Sequence, residues 1–384
     1  MAEGFGESVA RLEDERFLTG AGRFTADLNR PHQLYAAVVR SEHAHGDLVN
    51  IEVGESLGMP GVIAVHTEAM LRRDNVGTLP CTATFTAVSP LVTPPRFALA
   101  RDRVRFVGEP IALVIGEPAE ACADAAAQVA VEVTPLAAVV DGEQARQTGA
   151  PRLWGEAPGN LAFHFQTGDS TATRMAMHRA THIVELTVIN NRVTALPLEP
   201  RAGIAEFDPQ SQAWCLTCTG QGVYGIRAQL AEVLGVPASR VRVVAPDVGG
   251  GFGLKNFLYP EWVLLAWAAK HHQRPIKWIA DKSEDLAGAA HGRDSRAVGR
   301  LGLDEDGRFI ALEADLLANM GAYLSGSGPI VSTRAFPTAL GGIYNIRNAS
   351  MDARGVFTNT VPVDAYRGAG KPEANYLIER LVDE

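Results

Sequence analysis

The sequence predicts an α+β protein made of two successive domains, and three observations lead there. The 384 residues are too many for one ordinary core. Short strand patterns and amphipathic or apolar helices are interspersed along the whole length. The stretch 141–160, D-G-E-Q-A-R-Q-T-G-A-P-R-L-W-G-E-A-P-G-N, is rich in Gly, Pro and polar residues and reads as a linker. The domains are therefore expected at residues 1–145 and 146–384.

Each element has its own signal. In the first part, residues 34–40, 62–66, 104–107 and 111–115 are β-branched or apolar runs that read as strands. An alanine-rich helix is expected over 119–130, then a strand over 131–134. In the second part, strands are expected at 182–189, 204–207 and 214–219. A helix over 223–234 is set off by Gly235 and Pro237. Asp304-Glu305-Asp306-Gly307 is a hairpin turn between strands at 297–303 and 309–318. The last residues, 375–384, carry Leu377, Ile378 and Leu381 on one helical face.

Composition narrows the function. A hydrophobic fraction of 46% and a charged fraction of 21% belong to a folded, soluble protein. A net charge of −9 and no Lys/Arg block argue against a nucleic-acid surface. The N-terminus shows neither the basic start nor the apolar core of a signal peptide. The longest apolar run, 257–269, contains Pro260 and Glu261 and is too short to span a bilayer, so it reads as a buried helix. Four cysteines make no disulfide framework, which points to the cytoplasm. Cys215 and Cys218 form a Cys-x-x-Cys pair. They lie on a predicted strand, where positions three apart face opposite ways, so buried thiols are the favoured reading. His43 and His45 lack a third ligand nearby and read as surface or turn histidines.

Residues 241–255, V-R-V-V-A-P-D-V-G-G-G-F-G-L-K, are the most informative stretch. A strand runs into three consecutive glycines, and an apolar helix with Pro260 in its first turn follows. Such a junction lets bare backbone approach an electron-rich ligand. Leu254 stands where a dinucleotide fingerprint needs its third glycine. Leu254-Lys255-Asn256 replaces the Gly-Lys-Ser/Thr of a phosphate loop. On this pattern alone, a plain tight turn and a ligand loop fit equally well.

The ordered set of motifs resembles the large, molybdenum-binding subunit of the xanthine dehydrogenase / aldehyde oxidase / carbon monoxide dehydrogenase family, the molybdenum hydroxylases. The resemblance is to that subunit's N-terminal half. It is carried by S-V-A-R-L-E-D-E-R-F-L-T-G-A-G-R-F-T-A-D-L (8–28) with R-S-E-H-A-H-G (40–46), and by V-R-F-V-G-E-P-I-A-L-V-I (104–115). Further along come P-L-E-P-R-A (197–202), T-G-Q-G-V-Y-G-I-R (219–227), the glycine loop, and D-A-Y-R-G-A-G-K-P-E-A (364–374). It implies a hammerhead-type α/β N-terminal domain over 1–145. The first half of a molybdopterin-binding α+β domain would then occupy 146–384, with the C-terminal half absent.

The resemblance also implies the site. Gln221 matches a glutamine that donates to an oxo ligand; on the residues alone it reads as a helix cap. Phe252 matches a residue whose backbone N–H approaches the metal's ligands, and Gly250, Gly251 and Gly253 give the loop its shape. Without the resemblance, Phe252 reads as a core aromatic. Arg367 matches a cofactor-touching arginine, a fork suited to oxyanions and phosphates, or else an exposed loop arginine. Asn256 and Glu199 fall in the substrate pocket. No side chain is expected to ligate metal directly, and the general-base glutamate is expected outside this chain. The implied cofactor is molybdopterin with molybdenum, as the cytosine dinucleotide form. Partners would be a chain supplying the C-terminal half, an iron–sulfur subunit carrying 2Fe-2S and a flavin subunit carrying FAD.

Two departures bear on substrate. Gly368 stands where carbon monoxide dehydrogenases hold copper with a cysteine, and Asn256 stands where xanthine-oxidising members bind purine with a glutamate. An aldehyde or N-heterocycle is the expected substrate. A truncated, catalytically inactive remnant or assembly module of the same family is the alternative.

Overall fold

A computed structural model of the chain describes residue 4, residues 6–89 and residues 91–384. The signal-peptide reading rests partly on residues 1–3 and 5, which lie outside the described residues. The first part contains strands β1 (Leu34–Arg40), β2 (Gly46–Glu52), β3 (Val62–Thr67), β4 (Arg103–Val104) and β5 (Pro110–Gly116). Helix α1 (Ala119–Ala127) and strand β6 (Ala130–Pro135) follow. The second part opens with β7 (Leu161–Gly168), helix α2 (Ser170–His178), β8 (His182–Asn190), β9 (Ala202–Asp208) and β10 (Ala213–Cys218). Next come helix α3 (Val223–Val233), β11 (Val241–Val244), helix α4 (Pro260–His272), β12 (Ile276–Ile279) and helix α5 (Lys282–Gly288). Strands β13 (Ser295–Leu303), β14 (Phe309–Gly321) and β15 (Asn348–Phe357) and helix α6 (Lys371–Asp383) follow, and shorter helical turns connect these elements.

The strands form three sheets. A seven-stranded sheet runs β11-β10-β9-β12-β1-β5-β3, a five-stranded sheet runs β7-β15-β14-β13-β8, and a small one runs β4-β2-β6. The seven-stranded sheet crosses the linker. Strand β1 pairs in parallel with β12 through Leu34–Ile276 and Tyr35–Lys277, joining segments more than two hundred residues apart. Lys277 secures the seam, its Nζ donating to the carbonyls of Ala26 (2.7 Å) and Leu28 (2.8 Å).

From Trp262 to Ala269, helix α4 is apolar on every face because it is enclosed on every face. Trp262, Val263, Leu264, Leu265 and Ala266 are all buried. Two indoles tie it to the sheet, since Trp262 Nε1 donates to Ala202 O (3.1 Å) and Trp214 Nε1 to Ala266 O (3.0 Å). At the chain's end, Leu377, Ile378 and Leu381 of α6 are buried, and Gly299 of β13 gives them room. A Cβ at Gly299 would stand 2.7 Å from Leu381 Cδ1.

Two expectations need correction. The stretch 141–160 is a packed strap rather than a loose linker. Leu153, Trp154, Ala157 and Asn160 are buried, Trp154 Nε1 donates to Ala322 O (2.8 Å), and Asn160 Nδ2 donates to Ala145 O (3.0 Å) and Pro151 O (2.9 Å). Its polar letters serve internal hydrogen bonds. His45 is buried, not at the surface, with Nδ1 2.7 Å from Ala137 O.

Candidate functional site: the glycine loop and its neighbours

The site begins where β11 ends. The chain turns through Gly249, Gly250, Gly251, Phe252 and Gly253 before α4 starts. Gly250 and Gly253 have φ of +98° and +96°, and Phe252 is held at +52°. Glycine is needed here for space as well as backbone freedom. A Cβ at Gly251 would lie 2.3 Å from Gln221 Cδ, one at Gly253 would lie 2.6 Å from Ala365 O, and one at Gly249 would lie 2.5 Å from Glu199 Cβ. Three separate segments therefore press on one loop.

Gln221 sits one residue before the N-cap of α3. Its Oε1 accepts from the N–H of Gly253 (2.9 Å) and of Lys255 (3.2 Å), and its own N–H donates to Lys255 O (2.8 Å). It clasps the glycine loop rather than capping its own helix. With the oxygen engaged by two donors, the carboxamide's NH₂ is the end left without these partners, and that end can only donate.

The loop 364–370 closes on the other side. Arg367 N–H donates to Phe252 O (2.9 Å), so the Ala-Tyr-Arg turn is stitched directly to the glycine loop. Arg293 holds that turn from behind, its guanidinium donating to Tyr366 O and Arg367 O at 3.0 Å each. Gln221, Phe252, Asn256 and Arg367 are all exposed, and Gly222 leaves room for Asn256, whose Oδ1 would lie 2.9 Å from a Cβ at 222. Backbone hydrogen bonds and close contacts make these four residues neighbours in the fold. Clefts of about 390 and 510 Å³ lie elsewhere, against β1 with β6 and on the five-stranded sheet.

Glu199 is placed differently. It is only 9% exposed and lies beneath the loop, where Oε2 accepts from Gly249 N–H (2.7 Å) and from the fully buried Lys255 Nζ (3.1 Å). Lys255 Nζ also donates to Glu199 O (2.7 Å). Burial pushes the Lys255 amine below its ordinary range, against the opposing pull of Glu199.

Sequence reasoning passed over the charges that set this frame. Arg201, fully buried, donates to Asp285 Oδ1 (2.7 Å) and Glu261 Oε2 (2.9 Å), and Arg40 reaches Glu261 Oε1 and Glu284 Oε1 at 2.6 Å each. Burial alone would raise the Glu261 carboxyl, but Arg201 and Arg40 outweigh it and hold it at about 2. Asp247, just before the glycines, is gripped by the Arg16 side chain and by Arg23 N–H (2.6 Å), which lowers it to about 2. The one visible signal was Glu261 standing alone in an apolar run.

Residues 153–384 match the family described as "Molybdopterin cofactor-binding domain", and residues 19–137 match "Aldehyde oxidase and xanthine dehydrogenase, a/b hammerhead domain". The chain belongs to the molybdenum hydroxylase large-subunit family. This molybdenum hydroxylase chain is 32% identical over 383 residues to the nicotine 6-hydroxylase large subunit of Paenarthrobacter nicotinovorans, covering 99% of this chain and 46% of that protein. The crystal structure of quinoline 2-oxidoreductase from Pseudomonas putida 86 superimposes with a TM-score of 0.90 at 32% identity, over 98% of this chain and 48% of that one. The nicotinate dehydrogenase large molybdopterin subunit of Eubacterium barkeri is 27% identical over 379 residues, covering 97% of this chain and 84% of that protein. The molybdenum hydroxylase chain thus spans about half the length of the first two and most of the third.

The residues present fit a molybdopterin group. Gly251 lets the Gln221 carboxamide lie directly against the loop, and the remaining NH₂ of that amide together with the arginine-bearing turn suits a ligand rich in oxygen. No helix among the described residues is long and apolar enough to cross a membrane.

Proposed function

We propose that this chain is the molybdenum-binding subunit, or the N-terminal half of one, of a molybdenum hydroxylase that oxidises an N-heterocycle or an aldehyde with oxygen derived from water. The observation that carries the reading is the hydrogen-bonded meeting of Gln221, the 249–253 loop and the Arg367 turn. Bound there, the molybdenum group supplies the redox chemistry that accepts two electrons from substrate.

The chain's own residues do the holding. Gln221 Nε2 donates toward the oxygen-rich face of the group, and Gly250, Gly251, Phe252 and Gly253 bring bare backbone close to it. Arg367 offers its guanidinium to oxyanions on the same ligand. Asn256 and the Phe252 ring face the substrate side, where a carboxamide can pair with a ring nitrogen or a carbonyl. Glu199, locked to Lys255, shapes that pocket from below. Nicotine, nicotinate and quinoline in the names of the three relatives favour the N-heterocycle.

The general-base glutamate belongs, on this reading, to the C-terminal half of the subunit, outside residues 1–384. The Eubacterium barkeri relative, similar to this chain over 84% of its length, supports such a division. Electrons would pass to a 2Fe-2S subunit and an FAD subunit, and the pterin would be the cytosine dinucleotide form. The domain division proposed is 1–145 and 146–384. Four unpaired cysteines, with Cys218 pushed up to about 12 by burial, suit the cytoplasm.

The test is expression together with the C-terminal half of the subunit, followed by metal analysis and pterin assay of the purified complex. About one molybdenum per complex and dye-linked oxidation of an N-heterocycle are expected. A well-folded complex that stays molybdenum-free under cofactor-sufficient conditions would overturn the proposal.

A further inference from the structure

Far from the glycine loop, three histidines gather at the other end of α4. His66 is buried on β3, while His271 and His272 close the helix. Their nitrogens all lie within 4.8 Å of one another. The ring centroids form a nearly equilateral triangle, 5.1 Å from His66 to each of the others and 5.0 Å between His271 and His272. Three imidazoles around a tetrahedral ion, with Zn–N near ~2.0–2.1 Å, place their ring centres about 5.2 Å apart. The centroid spacing matches, and the nitrogens, 2.8 Å apart in the closest pair and within 4.8 Å overall, need side-chain adjustment to about 3.3 Å.

The orientation of His66 is also fixed. Its Nδ1 stands 3.1 Å from Met70 Sδ, an acceptor without a proton to give, so Nδ1 carries the hydrogen and Nε2 presents its lone pair inward. Metal-bound imidazoles use their second nitrogen in this way. That Nε2 lies 2.8 Å from His272 Nε2, two like atoms that share one proton when no ion is there. Replacing the proton by a metal requires the pair to open to roughly 3.3 Å, a small side-chain adjustment. His271 stacks on Trp267, whose Nε1 donates to Asp74 Oδ2 at 3.0 Å, and the C-terminal end of a helix favours a cation.

We propose that His66, His271 and His272 form a zinc-type site, with water in the fourth position, that clamps β3 of the first part to α4 of the second. The ion's role is structural. The clamp does not depend on the molybdenum reading.

The test uses the untagged full chain, stripped with chelator and titrated with Zn²⁺ by calorimetry and with Co²⁺ by visible absorption. One equivalent is expected to bind, with tetrahedral Co²⁺ bands and a rise of several degrees in Tm. His272→Gln should weaken Zn²⁺ binding at least tenfold and erase the Co²⁺ bands, while His43→Gln should leave both unchanged. Should His66→Gln fail to fold, the exposed His271→Gln gives the same reading. Binding that is absent in the wild type, or equal in wild type and His272→Gln, would overturn the proposal and leave a simple hydrogen-bonded histidine cluster.

Discussion

Gln221 shows how backbone geometry decides what a side chain offers. Two N–H groups claim its oxygen, so its nitrogen is left to face outward. Gln221→Glu preserves both acceptor contacts and removes the outward donor. The expected result is a Tm within a few degrees of wild type, molybdenum still loaded, and turnover lower by about 10²-fold, read by steady-state kinetics of the complex. Gly251→Ala acts earlier, because its Cβ would displace the carboxamide itself. Metal analysis should then find molybdenum content cut severely in an otherwise folded chain. His291 gives the pH dependence at this scale. Burial, reinforced by Arg192, pushes it down to about 4, and its Nδ1 and Nε2 face Arg192 (3.3 Å) and Leu286 O (3.0 Å). Asp294, paired with Arg192 at 2.6 Å, is the counter-charge beside it. The folded state therefore binds this proton less readily than the unfolded chain. Its contribution to stability is full above about pH 6.5 and is lost as pH falls toward about 4. Thermal unfolding from pH 8 to pH 4 should show a shallower decline in His291→Gln than in wild type. Parallel curves would refute this.

Among the elements, α4 and the ion network at its first turn determine where the site stands. Glu261→Gln removes one charge of the Arg40–Glu261–Arg201–Asp285 group and leaves buried guanidinium charge uncompensated. A loss of about 3–5 kcal/mol is expected by denaturant titration. Since Glu261 is held at about 2 in the fold, this stabilisation exists above about pH 4.5 and fades as pH falls below it. Some of this was legible beforehand. The β13–β14 hairpin follows from its Asp-Gly turn, and α4 from an apolar run opened by Pro260. The strands β7, β12 and β15 were not legible. The first carries His164 and Gln166 and the last Asp352, Arg354 and Gly355, because one side of each meets solvent or a large ring. Gly355 is obligatory where Phe163 packs, with a would-be Cβ 2.2 Å from Cε1. Strand β12 is only four residues long, and its Lys277 is buried by carbonyls contributed from residues 26–28. Similarly, Gln221 alone reads as a cap, and its partners at 253 and 255 become visible only once the loop has folded.

For the molecule as a whole, the shared seven-stranded sheet governs how the parts depend on one another. Residues 1–145 expressed alone would leave the β12-facing side of β1 unpaired and strip Arg40 of Glu261 and Glu284. Dye binding and loss of cooperative unfolding are the expected outcome for that fragment, and a sharp reversible transition would argue for an autonomous domain. A strand pairing between residues 34 and 276 also has a consequence during synthesis. A ribosome must translate more than two hundred further residues before β1 can meet the neighbour that completes it, so until then the nascent polypeptide carries an unpaired hydrogen-bonding edge.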